Sequence, residues 1–385
     1  MGTIISRSDA EALIPAEEVE GIIKGITQKS VALSAFTKLP NMSTNQAKMA
    51  VMSVLPIAYW NASDNSRKQV TSAAWASKYI YAEEIAVIVP ISENVLNDSA
   101  YDIWGEVKDK LVEAFANKID DAMLFGVDKP STWPSDIKSA CNANGYAVNQ
   151  ASGATFYDTV LTAMDKVENA GFDVTGIIGG PNLAGKFRRL VDSTGQLLTG
   201  TDLQGLPRYA VKNGAFDVSK YQCIVGDLKQ AVYSIRQDIT FKVLDQAVIQ
   251  DPSDGTILYN LAQNDMVALR ATMRIGYQLP NPVNRVQTSE TARYPFAIVG
   301  VDGEFDVATP VLAGTTPFTT TTSVTMTCAT YGAKIYYTDD GTTPTASSTL
   351  YSGAVTLSAT KTIKAIAILA GYSNSAVASA TYTKS

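Results

Sequence analysis

Histidine is absent from all 385 residues. Its absence removes the commonest general base at neutral pH, the imidazole metal ligands and every Ser-His or Cys-His nucleophile pair. Cysteine is scarce. Cys141, Cys223 and Cys328 lie too far apart for a Cys-x-x-Cys zinc knuckle, and an odd number cannot all pair within one chain. They read as reduced, buried thiols of a cytoplasmic compartment. Charge is thin as well, at 18% Asp, Glu, Lys and Arg with a net value of −6. From Pro310 onward four lysines face two aspartates, a balance of +2, which leaves −8 on residues 1–309. Proteins that track phosphates release counterions through clustered Lys and Arg, so this chain does not read as a nucleic-acid binder. Long apolar runs are missing, and the N-terminus reaches Arg7, Asp9 and Glu11 without an apolar core stretch. Neither a membrane span nor a secretion signal is expected.

What is present suffices for folding: 46% hydrophobic residues leave room for two domains with real cores. Two features imitate enzymes. Gly180-Pro-Asn-Leu-Ala-Gly185-Lys186 follows a predicted strand and matches the opening of a phosphate-cradling loop, but Phe187 stands where Ser or Thr would hold magnesium, and Pro181 removes a backbone amide. The segment reads better as a strand-to-helix turn capped by Asn182. The pairs Glu83-Glu84, Asp120-Asp121 and Asp339-Asp340 suggest glycoside hydrolysis. Adjacent side chains diverge, however, whereas that reaction needs two carboxyls facing across a sugar, so solvated faces and a turn are expected. No cofactor or metal site is predicted.

The strongest pattern is a girder. Ile103, Val107, Leu111, Phe115 and Ile119 recur every four residues, while Asp109, Lys110, Glu113, Asn117 and Lys118 line the opposite face. Ser99 and Asp102 supply a start and Gly126 a stop, which predicts a helix over 99–125. Upstream, Pro15, Glu17 and Glu18 open a short amphipathic helix whose stripe, Val19, Ile22, Ile23 and Ile26, must dock on the body or on a neighbour. Val54, Ile57 and Tyr59, then a polar centre containing Asp64, Arg67 and Lys68, then Tyr79, Tyr81 and Ile85, predict a long hairpin, and a lone ribbon needs a surface to lie on. From 154 to 235 helices alternate with strands, giving a mixed α+β body.

The run Ser92-Glu-Asn-Val-Leu-Asn-Asp-Ser99, the helix closing on Ile119-Asp120-Asp121-Ala122 and Leu124-Phe125-Gly126, and the later Asn264-to-Ala271, Arg274-to-Tyr277 and Pro295-Phe296-Ala297 resemble tailed-phage major capsid proteins of the HK97-type fold. The likeness spans about the first three hundred residues. It implies an N-arm over about 1–50, an extended loop over 51–90, a spine helix over 99–125 and an axial domain over 150–262, all within a domain of residues 1–308. It also implies an icosahedral virion shell of pentamers and hexamers around double-stranded DNA, assembled in the host cytoplasm with portal and scaffold proteins. Arm residues Val19, Ile22, Ile23 and Ile26, and loop residues Asp64, Arg67 and Lys68, become the candidate inter-subunit contacts. Some members cross-link a loop lysine to a neighbour's asparagine, but the spacing of Lys68 and Lys78 identifies no reactive one. A cargo-holding bacterial compartment of the same fold is a close variant.

After Pro310 the composition turns to Thr, Ser, Ala and Tyr, which predicts a linker over 309–322 and a β-sandwich over 323–385. Gly332-to-Pro344, Thr362-to-Ala367, Gly371-Tyr372-Ser373 and Ala378-to-Tyr382 resemble the Ig-like or fibronectin-like modules at the C-termini of chitobiases. That likeness makes Tyr336, Tyr351 and Tyr372 the candidate glycan contacts, and host-surface glycans the candidate ligand. The competing readings are a carbohydrate-active enzyme and a polysaccharide adhesin. The leading one is a self-assembling shell subunit.

Overall fold

The computed structural model describes residues 30–61, 67–94, 103–150, 153–189, 205–251, 253–369 and 372–385. The chain opens with a short helix, α1 (Val31–Ala35), whose N-cap Ser30 accepts from the Leu33 amide. Strand β1 (Thr37–Lys38) leads to a long antiparallel hairpin, β2 (Gln46–Val54) and β3 (Ala74–Ser92), in register from Gln46 opposite Tyr81 to Met52 opposite Trp75, with a register shift before Val54 opposite Ala74. Helix α2 (Ile103–Asp120) follows, and its last turn widens into a π-turn over Asp121–Phe125. Gly126 ends it at φ +73°, a left-handed conformation that costs glycine little. The four-residue spacing does what it predicts: Leu111, Phe115 and Ile119 are buried in the main core. The start expected at Ser99 and Asp102 lies outside the described residues.

Next come α3 (Ile137–Ala143), β4 (Ala147–Asn149), α4 (Phe156–Asn169), β5 (Gly176–Gly179), α5 (Leu183–Arg188), β6 (Arg208–Ala210) and β7 (Tyr221–Gly226). Then β8 (Val232–Leu244), β9 (Val248–Gln250), β10 (Ile257–Asn260), β11 (Met266–Gln278) and β12 (Phe296–Gly300) complete the larger body. Two five-stranded sheets result, a long one ordered β1-β8-β11-β3-β2 and a compact one ordered β4-β12-β7-β5-β6. Every residue of β7 and β12 is buried, as near-continuous apolar strands covered on both faces should be. The axial segment expected over 150–262 is therefore not continuous. Its sheet begins at β4, loses the chain after β7 and regains it at β12, because β8 pairs with β11 of the long sheet. Apolar alternation marks strands but not which sheet they join.

The C-terminal module is a sandwich of two sheets. One is β13 (Val311–Ala313), β14 (Thr322–Thr327) and β17 (Val355–Leu357); the other is ordered β16 (Thr349–Leu350), β15 (Lys334–Thr338), β18 (Lys361–Ile368), β19 (Ala378–Tyr382). Strand β14 alternates buried and exposed residues throughout. The stretch read as a linker over 309–322 instead contributes β13, paired from Val311 opposite Thr327 to Ala313 opposite Thr325. The strand is built on Val311, Leu312 and Ala313, three apolar residues set just before the threonine-rich run that gives the stretch its spacer-like composition.

The module is welded to the larger body. Its residues Val324, Ile363 and Tyr372 belong to the same continuous core as Ile119 and Phe296. Backbone Ser373 bonds Phe305 and Val307, and the Tyr331 amide donates to the Ala143 carbonyl. Asn149 Nδ2 donates to the Phe305 carbonyl at 2.8 Å.

Candidate assembly surfaces

The most exposed apolar side chains sit on the connection between β2 and β3. Trp60 is 99% and Val70 95% exposed, Ile57 and Tyr59 accompany them, and Trp75 follows at the start of β3. The body holds the hairpin as far as the start of this connection: Lys78 on β3 pairs with Glu290 at 2.6 Å, and Arg285 donates to the Pro56 carbonyl at 2.7 Å. That pairing holds the Glu290 carboxyl below the usual range. Farther along, both Nε and Nη2 of Arg274 reach Glu84 Oε2. The hairpin thus has braced strands and a bare apolar end. Arg67 and Lys68 are exposed beside that end. Asp64, Val19, Ile22, Ile23 and Ile26 lie outside the described residues. Trp60, Val70 and Trp75 escaped the sequence reading, although two tryptophans flanking a polar hairpin tip are a signal it could have used. Because Lys78 is bound to Glu290, it is not a free amine.

The enzyme-like motifs resolve into structure. Lys186 Nζ donates to Gln222 Oε1 at 2.9 Å and lies 5.3 Å over the Phe156 ring, so it does not point into a phosphate cradle. A Cβ on Gly180 would meet Val218 at 2.3 Å, so the turn is already filled. Asn182 precedes the helix but makes no side-chain cap bond, which corrects that expectation. Glu83 accepts from Thr132 while Glu84 takes Arg274, so the two carboxylates diverge.

Asp120 corrects the reading of its pair as a solvated face, since it is 0% exposed. Its Oδ1 accepts from Ser30 Oγ at 2.7 Å and the Ala32 amide at 2.9 Å, and its Oδ2 from the Val31 amide at 3.1 Å and Asn213 Nδ2 at 2.7 Å. Burial pushes its carboxyl above the usual range against the pull of these four hydrogen bonds. The carboxylate ties α1 to the end of α2 and to the chain beside β6.

Tyr372 is likewise not a sugar platform. It is only 9% exposed. Its hydroxyl accepts from the Ala147 amide at 2.9 Å and lies 3.3 Å from both the Cys141 and Asn142 carbonyls. Lys166 Nζ sits 5.4 Å over its ring and donates to the Gly145 and Ala147 carbonyls. The residue is a rivet between module and body. Tyr336 and Tyr351 remain half-exposed, the latter edge-on to Tyr337. Cys141 and Cys223 are buried, whereas Cys328 is half-buried and donates to the Ala308 carbonyl. Among the described residues no cluster of carboxylates and thiols could hold a metal, and no helix is long and apolar enough to cross a membrane.

Comparison with known proteins agrees with this geometry. The profile described as the phage capsid family matches residues 10–285, and that of the chitobiase/beta-hexosaminidase C-terminal domain matches residues 313–379. The chain is 25% identical over 248 residues, 63% of its own length and 74% of the relative's, to the major capsid protein of Staphylococcus phage 80alpha. A solved chain from Microbacterium phage Oxtober96 is 33% identical with a TM-score of 0.62, over 77% of this chain and 99% of that one. One from Mycobacterium phage Adephagia is 28% identical with a TM-score of 0.63, over 77% and 98%. A braced hairpin with a bare apolar end, a long helix built into the core and these likenesses converge: the chain belongs to the phage capsid family and is a major capsid protein, a structural subunit of the virion with an HK97-like fold.

Proposed function

We propose that copies of this chain close into an icosahedral shell of pentamers and hexamers around double-stranded DNA, each copy covering the apolar hairpin end of a neighbour. The observation that carries this reading is the exposure of Trp60, Val70 and Trp75 on a hairpin that its own subunit braces only as far as Pro56. Burying that surface on a neighbour repays the association, and several modest contacts per subunit add up once a shell closes. With a net charge of −6, the subunit walls the genome in without reading its sequence. Assembly belongs in the host cytoplasm, with portal and scaffold proteins as partners. Negative-stain microscopy of the expressed full chain, alone and with its scaffold, tests the reading. Closed particles are expected, and soluble monomers under both conditions would refute it.

The module adds a second role, contact with host-surface glycans. Tyr336 and Tyr351 are its candidates, now without Tyr372. A glycan array probed with the full chain and with a Tyr336→Ala, Tyr351→Ala double variant tests this: binding by the first and not the second supports it, and equal signals refute it.

A further inference from the structure

The compact-sheet body is electrically polar along α4. At the first turn of that helix Phe156 packs edge-on against Phe187, with ring centroids 5.7 Å apart, and the Arg208 guanidinium lies 4.8 Å over the Phe187 ring. Arg188 and Arg189 follow Phe187 directly, and all three arginines are exposed. None of them has a carboxylate at ion-pair distance among the described residues. Asp158, at the same end, accepts from the Thr155 hydroxyl, so one carboxylate stands against three arginines there. The far end of α4 is about 20 Å away at 1.5 Å per residue. There Asp165 and Glu168 stand one turn apart on the exposed side, and Asp173 follows, again without a cation at ion-pair distance among the described residues. Lys166 does not neutralise them, because its amine is turned inward onto two backbone carbonyls.

We propose that these two ends mate between copies: Arg188, Arg189 and Arg208 of one subunit dock on Asp165, Glu168 and Asp173 of the next, head to tail around a symmetry axis. The inference rests on the shell reading and adds the surface that orients neighbours within a ring. A heterologous contact joins two different patches and closes when repeated by rotation. Opposite charge on the two patches steers encounter and fixes register, while a copy turned the wrong way meets its own sign. Arginine suits the task, since its planar fork pairs with carboxylates and sheds water more readily than an ammonium does. Three arginines would also suit a phosphate polymer, but that partner leaves the matched acidic end without a role. A second copy accounts for both ends.

A charge swap in the full chain tests the proposal. Arg188→Glu with Arg189→Glu reverses one end, Asp165→Lys with Glu168→Lys reverses the other, and a third chain carries all four changes. Each single-end reversal should lower particle yield by about tenfold or more, and the four-fold variant should recover most of it. Thermal melts of the unassembled chains confirm folding, and the neutral variants Arg188→Gln with Arg189→Gln and Asp165→Asn with Glu168→Gln should show milder loss in the same direction. Wild-type yield from both single-end reversals would overturn the proposal, as would a four-fold variant no better than either. Normal particles that package less DNA when the arginines are reversed would overturn it in favour of a phosphate contact. If the unmodified chain forms no particles even with scaffold, the shell reading fails and this ring contact with it; if it does, the swap judges the contact alone.

Discussion

Asp120 shows how much a single residue can settle out of sight of sequence reasoning. Its neighbour Asp121 and the charged back face of α2 suggested solvent, but the partners that decide its fate, Ser30 and Asn213, lie some ninety residues away on either side. No local pattern announces them. Asp120→Ala should cost about 3 kcal/mol or more, since it strands buried donors rather than removing one contact, and chemical denaturation of the unassembled chain would measure it. Lys166 makes a prediction of the opposite kind. Burial lowers its ammonium to about 8 from the ordinary 10.5, so across that interval the unfolded chain holds a proton that the folded one has released. Stability from this group should therefore rise between about pH 8 and pH 10.5 and be flat below. The difference in melting temperature between wild type and Lys166→Met, followed from pH 7 to pH 11, should grow in favour of wild type over that window. A constant difference would contradict the assignment.

At the scale of elements, periodicity served well wherever one face was buried. The four-residue stripe of α2 has its expected character, α4 and β5 fall within the stretch read as alternating helices and strands, and β14 alternates within the expected sandwich. Composition served badly at the module's entrance, where the stretch read as a tether contributes β13 and its last residue, Thr322, opens β14. The weld between module and body was invisible for the same reason as Asp120: Tyr372 meets residues 141–147 only through the folded chain. Tyr372→Phe keeps the ring but leaves the Ala147 amide unpaired, a loss of about 1–2 kcal/mol. Hydrogen exchange at Ala147 should accelerate accordingly, while amides in β11 stay as slow as before. Unchanged protection at Ala147 would mean the phenol bond does not hold the seat.

For the whole molecule, the order and spacing of the segments made the fold class and family legible in the sequence, because those segments recur together in proteins that build shells. What stayed hidden was where the surface is unfinished. Trp60 and Trp75 are costly to leave in water, and their own subunit leaves the first wholly and the second mostly uncovered. Trp60→Ala with Trp75→Ala should barely change the melting temperature of the unassembled chain, because exposed side chains contribute little to its folding. It should sharply reduce particle yield, since the same side chains are proposed to be buried between copies. The most direct test of the central claim is the mass of the purified chain by light scattering under assembly conditions, with scaffold supplied. A closed assembly of megadalton size is predicted. A population that stays at the 41.1 kDa of the single chain under those conditions would contradict it.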